Sequence, residues 1–79
     1  MNISEAIRKR ILNICDEKEI SINKLAIMSG LTQSTLQSII SGKSQNPKLL
    51  TIVRICESLE IDLQEFFNDP IFKNIDSQL

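Results

Sequence analysis

The 79-residue chain has no histidine, no tryptophan and no tyrosine. Without histidine it lacks both the usual imidazole base and the commonest metal ligand. Its two cysteines, Cys15 and Cys56, stand far apart and form no CxxC pair, so a metal or redox motif has no ligand set. No Ser or Cys stands beside a plausible base, and no catalytic constellation is present. The expectation is therefore no enzyme, no cofactor and no evident small-molecule substrate. Glycine and proline number only two each, too few for a loop-rich or low-complexity chain. No stretch nears 18 consecutive apolar residues, which leaves no membrane span. The start, "MNISEAIRKR", has charges but no apolar run behind them, so no signal peptide is expected. A cytoplasmic protein follows as the expectation, with both cysteines reduced and buried as small hydrophobes.

A further shortage is local. Residues 20–56 contain no Asp or Glu, and all ten acids lie outside that window. The window holds four bases, Lys24, Lys43, Lys48 and Arg54. The net charge of −1 thus hides an asymmetry. A near-neutral chain can still present one positive face, and the local field matters more than the total.

What the chain does have is aliphatic residues at helical spacing. Apolar residues make up 42% of it, with three Phe, and the length allows one domain with a modest core. A first helix is expected from about Ser4 to Lys18, burying Ile7, Ile11, Ile14 and Cys15, with Asn2 or Ser4 as its cap. A second runs from Ser21 to Ser29, with Leu25, Ala26 and Met28 apolar, and ends at Gly30. Thr32 caps a third that reaches Ser41. A fourth runs from Lys48 to Leu59 and buries Leu49, Ile52, Val53, Cys56 and Leu59. Asp62 and Glu65 have capping-box spacing at the start of a short fifth helix carrying Leu63, Phe66 and Phe67, and Asn68-Asp69-Pro70 stops it. There is no internal repeat.

The third helix has an unusual outer face. Gln33, Ser34, Gln37, Ser38 and Ser41 are all polar and all uncharged, where a solvated helix face is usually built from Glu and Lys. Around it, Ala26 allows a close helix crossing and Gly30 suits a positive φ in a short turn, while Leu25, Leu31, Leu36 and Ile39 fill the angle between the helices. This is a helix-turn-helix pattern.

The stretch "KLAIMSGLTQSTLQSIISGK", followed by "NP" and "LLTIVRICESLEIDLQEFF", resembles the lambda-repressor-like, Cro/repressor-type helix-turn-helix domains of the XRE family, over about residues 5–67. The resemblance implies an all-α, compact five-helix domain over 1–69 with a short C-terminal tail over 70–79. It also implies a sequence-specific regulator, with repression expected, that binds double-stranded operator DNA as a homodimer. The third helix, about 32–41, would enter the major groove. Gln33, Ser34 and Ser38 match the family's base-reading positions, with Thr35 and Gln37 flanking them. Ser21, Asn23, Thr32, Lys43, Ser44, Gln45 and Asn46 match positions along the backbone. An uncharged polar face suits such a helix, because acids would meet phosphate while Gln and Ser hydrogen-bond base edges.

Two departures from the family stand out. Cys15 and Ile40 occupy positions where many members pair an Arg with a Glu, so a buried apolar contact is expected there instead. The DNA-facing segment is also poor in Arg, which favours A·T over G·C readout. The same fold could instead serve as a protein-interaction module, an antirepressor or an antitoxin component. In the tail, Ile71, Phe72, Ile75 and Leu79 recur near helical spacing. Pairing across a two-fold axis with the Phe residues at the seam is the expectation, with packing onto Phe66, Phe67 and the first helix, or disorder, as alternatives.

Overall fold

Helix starts in this chain are marked by side chains that take up otherwise unpaired backbone N–H groups. The structure, a computed structural model, describes residues 1–77. It places five helices in order: α1 (Ile3–Glu17), α2 (Ile22–Ser29), α3 (Gln33–Ile40), α4 (Leu49–Ser58) and α5 (Leu63–Phe67), followed by a 3-10 turn at Pro70–Phe72. Asn2 accepts from the Glu5 N–H, Ser21 from Lys24, Thr32 from Thr35 and Asp62 from Glu65. Each such cap is worth about 1 kcal/mol. Helix α4 differs: Lys48 sits at its cap position with no side-chain bond to the first turn.

Three helices end by one device. After α1, the Ile20 N–H reaches back to the Cys15 carbonyl, and the residue between, Glu19, has φ 57. After α4, the Ile61 N–H reaches the Cys56 carbonyl across Glu60 at φ 59. After α2, the Leu31 N–H reaches the Ala26 carbonyl across Gly30 at φ 72. In each case a left-handed residue is followed by an apolar one packed on the core.

The core draws on every helix. Ile7, Ile11, Ile14 and Cys15 of α1 meet Leu25 and Ala26 of α2, Leu36 and Ile39 of α3, Ile52, Ile55 and Cys56 of α4, and Phe66 of α5, all buried. Burial pushes both thiols above their ordinary range, and Asp62 adds to this at Cys56, so both remain uncharged. Helix α2 packs against α4 and α3, and α1 against α2, α3 and the 3-10 turn.

Several expected core positions are corrected. Leu49 is 62% exposed and Met28 is exposed, while Val53 is half-buried and Ile55, fully enclosed, takes the central place on α4. Leu49 lies in the first turn, where α4 overhangs its neighbours, so its helical phase is right but nothing faces it. Ile40 is half-buried against the core, whereas Cys15 is fully within it.

The segment after α5 turns back onto its own chain. Phe72 packs 4.9 Å from Phe67 and 6.0 Å from Phe66, ring to ring. Further on, the Asp76 N–H donates to the Met1 carbonyl at 3.2 Å. Phe66 is wholly enclosed, so it cannot lie at a seam between two copies. Leu79 lies outside the described residues.

Candidate nucleic-acid interface

Helix α3 divides cleanly into two faces. Leu36 and Ile39 are buried, and Gln33, Ser34, Thr35 and Gln37 are exposed, with Ser38 half-buried. Thr32 is committed to the cap: its hydroxyl accepts from the Thr35 N–H at 3.1 Å and donates to the Thr35 hydroxyl at 2.9 Å. Among the described residues, no intramolecular hydrogen bond engages the side chains of Gln33, Ser34, Gln37 or Ser38. Their donors and acceptors stand free along one side of the helix.

The loop after α3 is built from backbone contacts. Gly42, at φ 84, lets the chain reverse, and the Ser44 N–H then donates to the Ser38 carbonyl at 2.9 Å. The Ser44 carbonyl accepts from the buried Ser4 hydroxyl of α1 at 2.9 Å. Gln45 donates from its side chain to the Gly42 carbonyl at 2.7 Å. Ser44 and Gln45 therefore shape the loop, while Lys43 and Asn46 are exposed along it. The sequence marks Ser4 only as a possible cap, because its partner 40 residues away carries no local signal.

A groove of about 570 Å³ runs between α3 and the start of α4. Thr35, Ser38 and Ile39 form one wall, Lys43, Ser44 and Asn46 the rim, and Pro47, Lys48 and Thr51 the other wall. The structure thus brings Thr35, Ser38, Lys43, Ser44 and Asn46 together. Ser21 and Asn23 lie at the start of α2, both exposed, with the Ser21 hydroxyl accepting from the Lys24 N–H at 3.0 Å. The uncapped first turn of α4, behind Lys48, joins this surface and was missed by sequence reasoning. The visible signal was Pro47-Lys48, which offers no capping oxygen. Among the described residues, Lys24, Lys43, Lys48 and Arg54 enter no ion pair, so their charge is available to a ligand.

The pattern of residues 10–70 matches the Cro/C1-type HTH DNA-binding domain. The chain belongs to the Cro/C1-type HTH family. This Cro/C1-type domain is 37% identical over 51 residues to the HTH-type transcriptional regulator SlrR of Bacillus subtilis (strain 168). The match covers 65% of this chain and 34% of that protein, so the chain spans about a third of that relative's length. It also superposes on the crystal structure of the prophage Lp1 protein 11, with a TM-score of 0.83, 28% identity, 95% of this chain covered and all of that one. The matched family is one of DNA-binding domains, and no helix among the described residues is long and apolar enough to cross a membrane.

Proposed function

We propose that this Cro/C1-type domain is a sequence-specific transcriptional repressor that reads the major groove with α3 and binds double-stranded DNA as a homodimer. The observation that carries the reading is the outer face of Gln33, Ser34, Gln37 and Ser38, which is uncharged and makes no side-chain hydrogen bond among the described residues. Gln presents an amide suited to the N6 and N7 atoms of adenine, and the hydroxyls suit several base edges. Thr35 stands at the edge of this face, beside the groove.

The surrounding groups suit phosphate. Lys43 and Lys48 supply charge, Asn46 a neutral donor, and the free N–H groups of the first turn of α4 a helix N-terminus. Ser21 and Asn23 place a second helix start, that of α2, on the flanking backbone. Thr32, Ser44 and Gln45 act by holding the shape of this surface as much as by touching the duplex. Repression follows from occupancy, because a domain seated on an operator excludes other proteins from it.

The test is selection of bound sequences from a random duplex library, followed by titration at several salt concentrations. A consensus site and a steep salt slope are expected, and Lys43→Ala should lower that slope by about 1 per half-site. No binding to any duplex at low salt would instead favour a protein-interaction module on the same fold.

A further inference from the structure

Among the described residues, Ser4 is the one buried polar side chain, and it is only 5% exposed. Capping does not account for it, because Asn2 already caps α1. Its hydroxyl instead donates to the Ser44 carbonyl at 2.9 Å. Among the described residues, this is the sole hydrogen bond between α1 and the loop that follows α3. Spaces of about 340 and 350 Å³ flank it. Arg8, Ser41 and Gln45 border the first, and Ile3, Asn46 and Asp76 the second. The loop thus stands off α1 at this point, and a hydrogen bond takes the place of close packing there.

Ser44 is held from both sides. Its N–H donates to the Ser38 carbonyl of α3 at 2.9 Å, while its carbonyl accepts from Ser4. The residues around this clamp carry the groups suited to phosphate. Lys43 and Asn46 are exposed and line the groove beside α3. The backbone N–H groups of Gln45 and Asn46 donate to no backbone carbonyl among the described residues. We infer that Ser4, which lies outside the groove, is a positioning residue for duplex binding: it fixes the loop so that Lys43, Asn46 and the free N–H groups meet the phosphate backbone in one arrangement. The inference deepens the DNA-binding reading and rests on it.

The physical argument is one of ordering. A loop that wanders spreads its lysine and its amides over many positions, and binding must then gather them at an entropic cost. A loop held beforehand avoids that cost. Removing the Ser4 hydroxyl leaves the Ser44 carbonyl without its partner, and the flanking spaces give water a route to it. The loop then loses its fixed position more than the fold loses stability. A hydroxyl with a structural role alone would shift the melt and leave the ionic part of binding untouched.

The experiment compares the full chain with Ser4→Ala and with a control, Ser58→Ala, which removes a half-buried hydroxyl bonded to the Ile55 carbonyl at 2.7 Å. Melts set a temperature at which all three are folded. Amide hydrogen exchange on the free proteins reads the loop, and titration against random duplex at several salt concentrations reads the grip. In Ser4→Ala the Ser44 N–H should exchange about fivefold faster, the scale of one hydrogen bond. Its salt slope should fall toward that of Lys43→Ala, and affinity should drop by the same factor on random and selected duplex, because phosphate carries no sequence. Ser58→Ala should change none of these. In Ser4→Ala/Lys43→Ala the combined loss should be smaller than the product of the two single losses, because both act at one contact. Unchanged exchange at Ser44, a salt slope equal to the parent's, or fully independent losses overturns the inference. A parent that binds no duplex at low salt overturns the DNA reading and this role with it, a result distinct from a parent that binds and a variant that matches it.

Discussion

Gln33 and Arg10 show two different ways a residue can matter in this chain. Gln33 opens α3, is exposed, and touches nothing that the fold requires. Gln33→Ala should cost roughly 1–3 kcal/mol in affinity for the selected site and leave binding to random duplex nearly unchanged, as read by parallel titrations. An equal loss on both would make it a backbone contact. Arg10 is the reverse case. Its guanidinium donates to the Phe66 carbonyl at 2.7 Å and the Glu65 carbonyl at 2.9 Å, pairs with Asp69 at 3.2 Å, and lies 6.0 Å from the Phe66 ring. It caps the end of α5 from α1, with 12% of its side chain exposed. Arg10→Ala leaves two carbonyls and a carboxylate without their partner and should cost about 2 kcal/mol in a urea melt. Lysine should rescue only part of this, because a single ammonium cannot reproduce the fork.

At the scale of the element, α1 and α4 share an ending that is written twice in the chain, as "ICDEKEI" at 14–20 and "ICESLEI" at 55–61. In both, the Cys carbonyl accepts the last bond, a Glu takes the left-handed position, and the final Ile packs on the core. Glutamate there carries a Cβ penalty that glycine escapes. Glu60→Gly should therefore raise stability by about 0.5–1 kcal/mol, with Glu19→Gly similar, measured by thermal or urea denaturation. A loss would mean that the extra freedom of glycine in the unfolded chain outweighs the relief of strain.

These endings also show what could be read in advance. The starts at Ser21, Thr32 and Asp62 were legible because a cap acts on the residue three positions on, within the reach of local pattern. The core face of α1 was legible because its phase repeats at Ile7, Ile11 and Ile14. The αL endings at Glu19 and Glu60 were not, since glutamate does not announce a positive φ. The exposure of Leu49 was not legible either, because periodicity gives the side of a helix but not which end overhangs. The bonds of Arg10 and Ser4 join residues 40 or more positions apart, beyond any local window. In the candidate site, the polar face of α3 was legible from residue type alone, whereas the uncapped start of α4 had only the lack of a capping oxygen at Lys48 as its signal.

For the whole molecule, the segment from Pro70 to Asp76 closes the fold on itself. It lays Phe72 on Phe66 and Phe67 and returns the backbone to the start of α1 through the bridge between Asn2 and Asp76. A chain ending at Asp69 should thus be less stable by about 1–3 kcal/mol, read from the shift in denaturation midpoint. Its tendency to self-associate should not change. An unaltered midpoint would show that Phe72 contributes no net packing energy.

The separation of α3 into a buried side and an unengaged polar side has a consequence for how such a domain can change over generations. Leu36 and Ile39 hold the helix in place, and the side chains proposed to meet the bases take no part in holding it. Substitution at Gln33 or Ser34, both exposed, therefore draws little from the stability of the fold. A descendant can acquire a new operator in single steps, each intermediate remaining folded, and its target can drift while the architecture stays fixed.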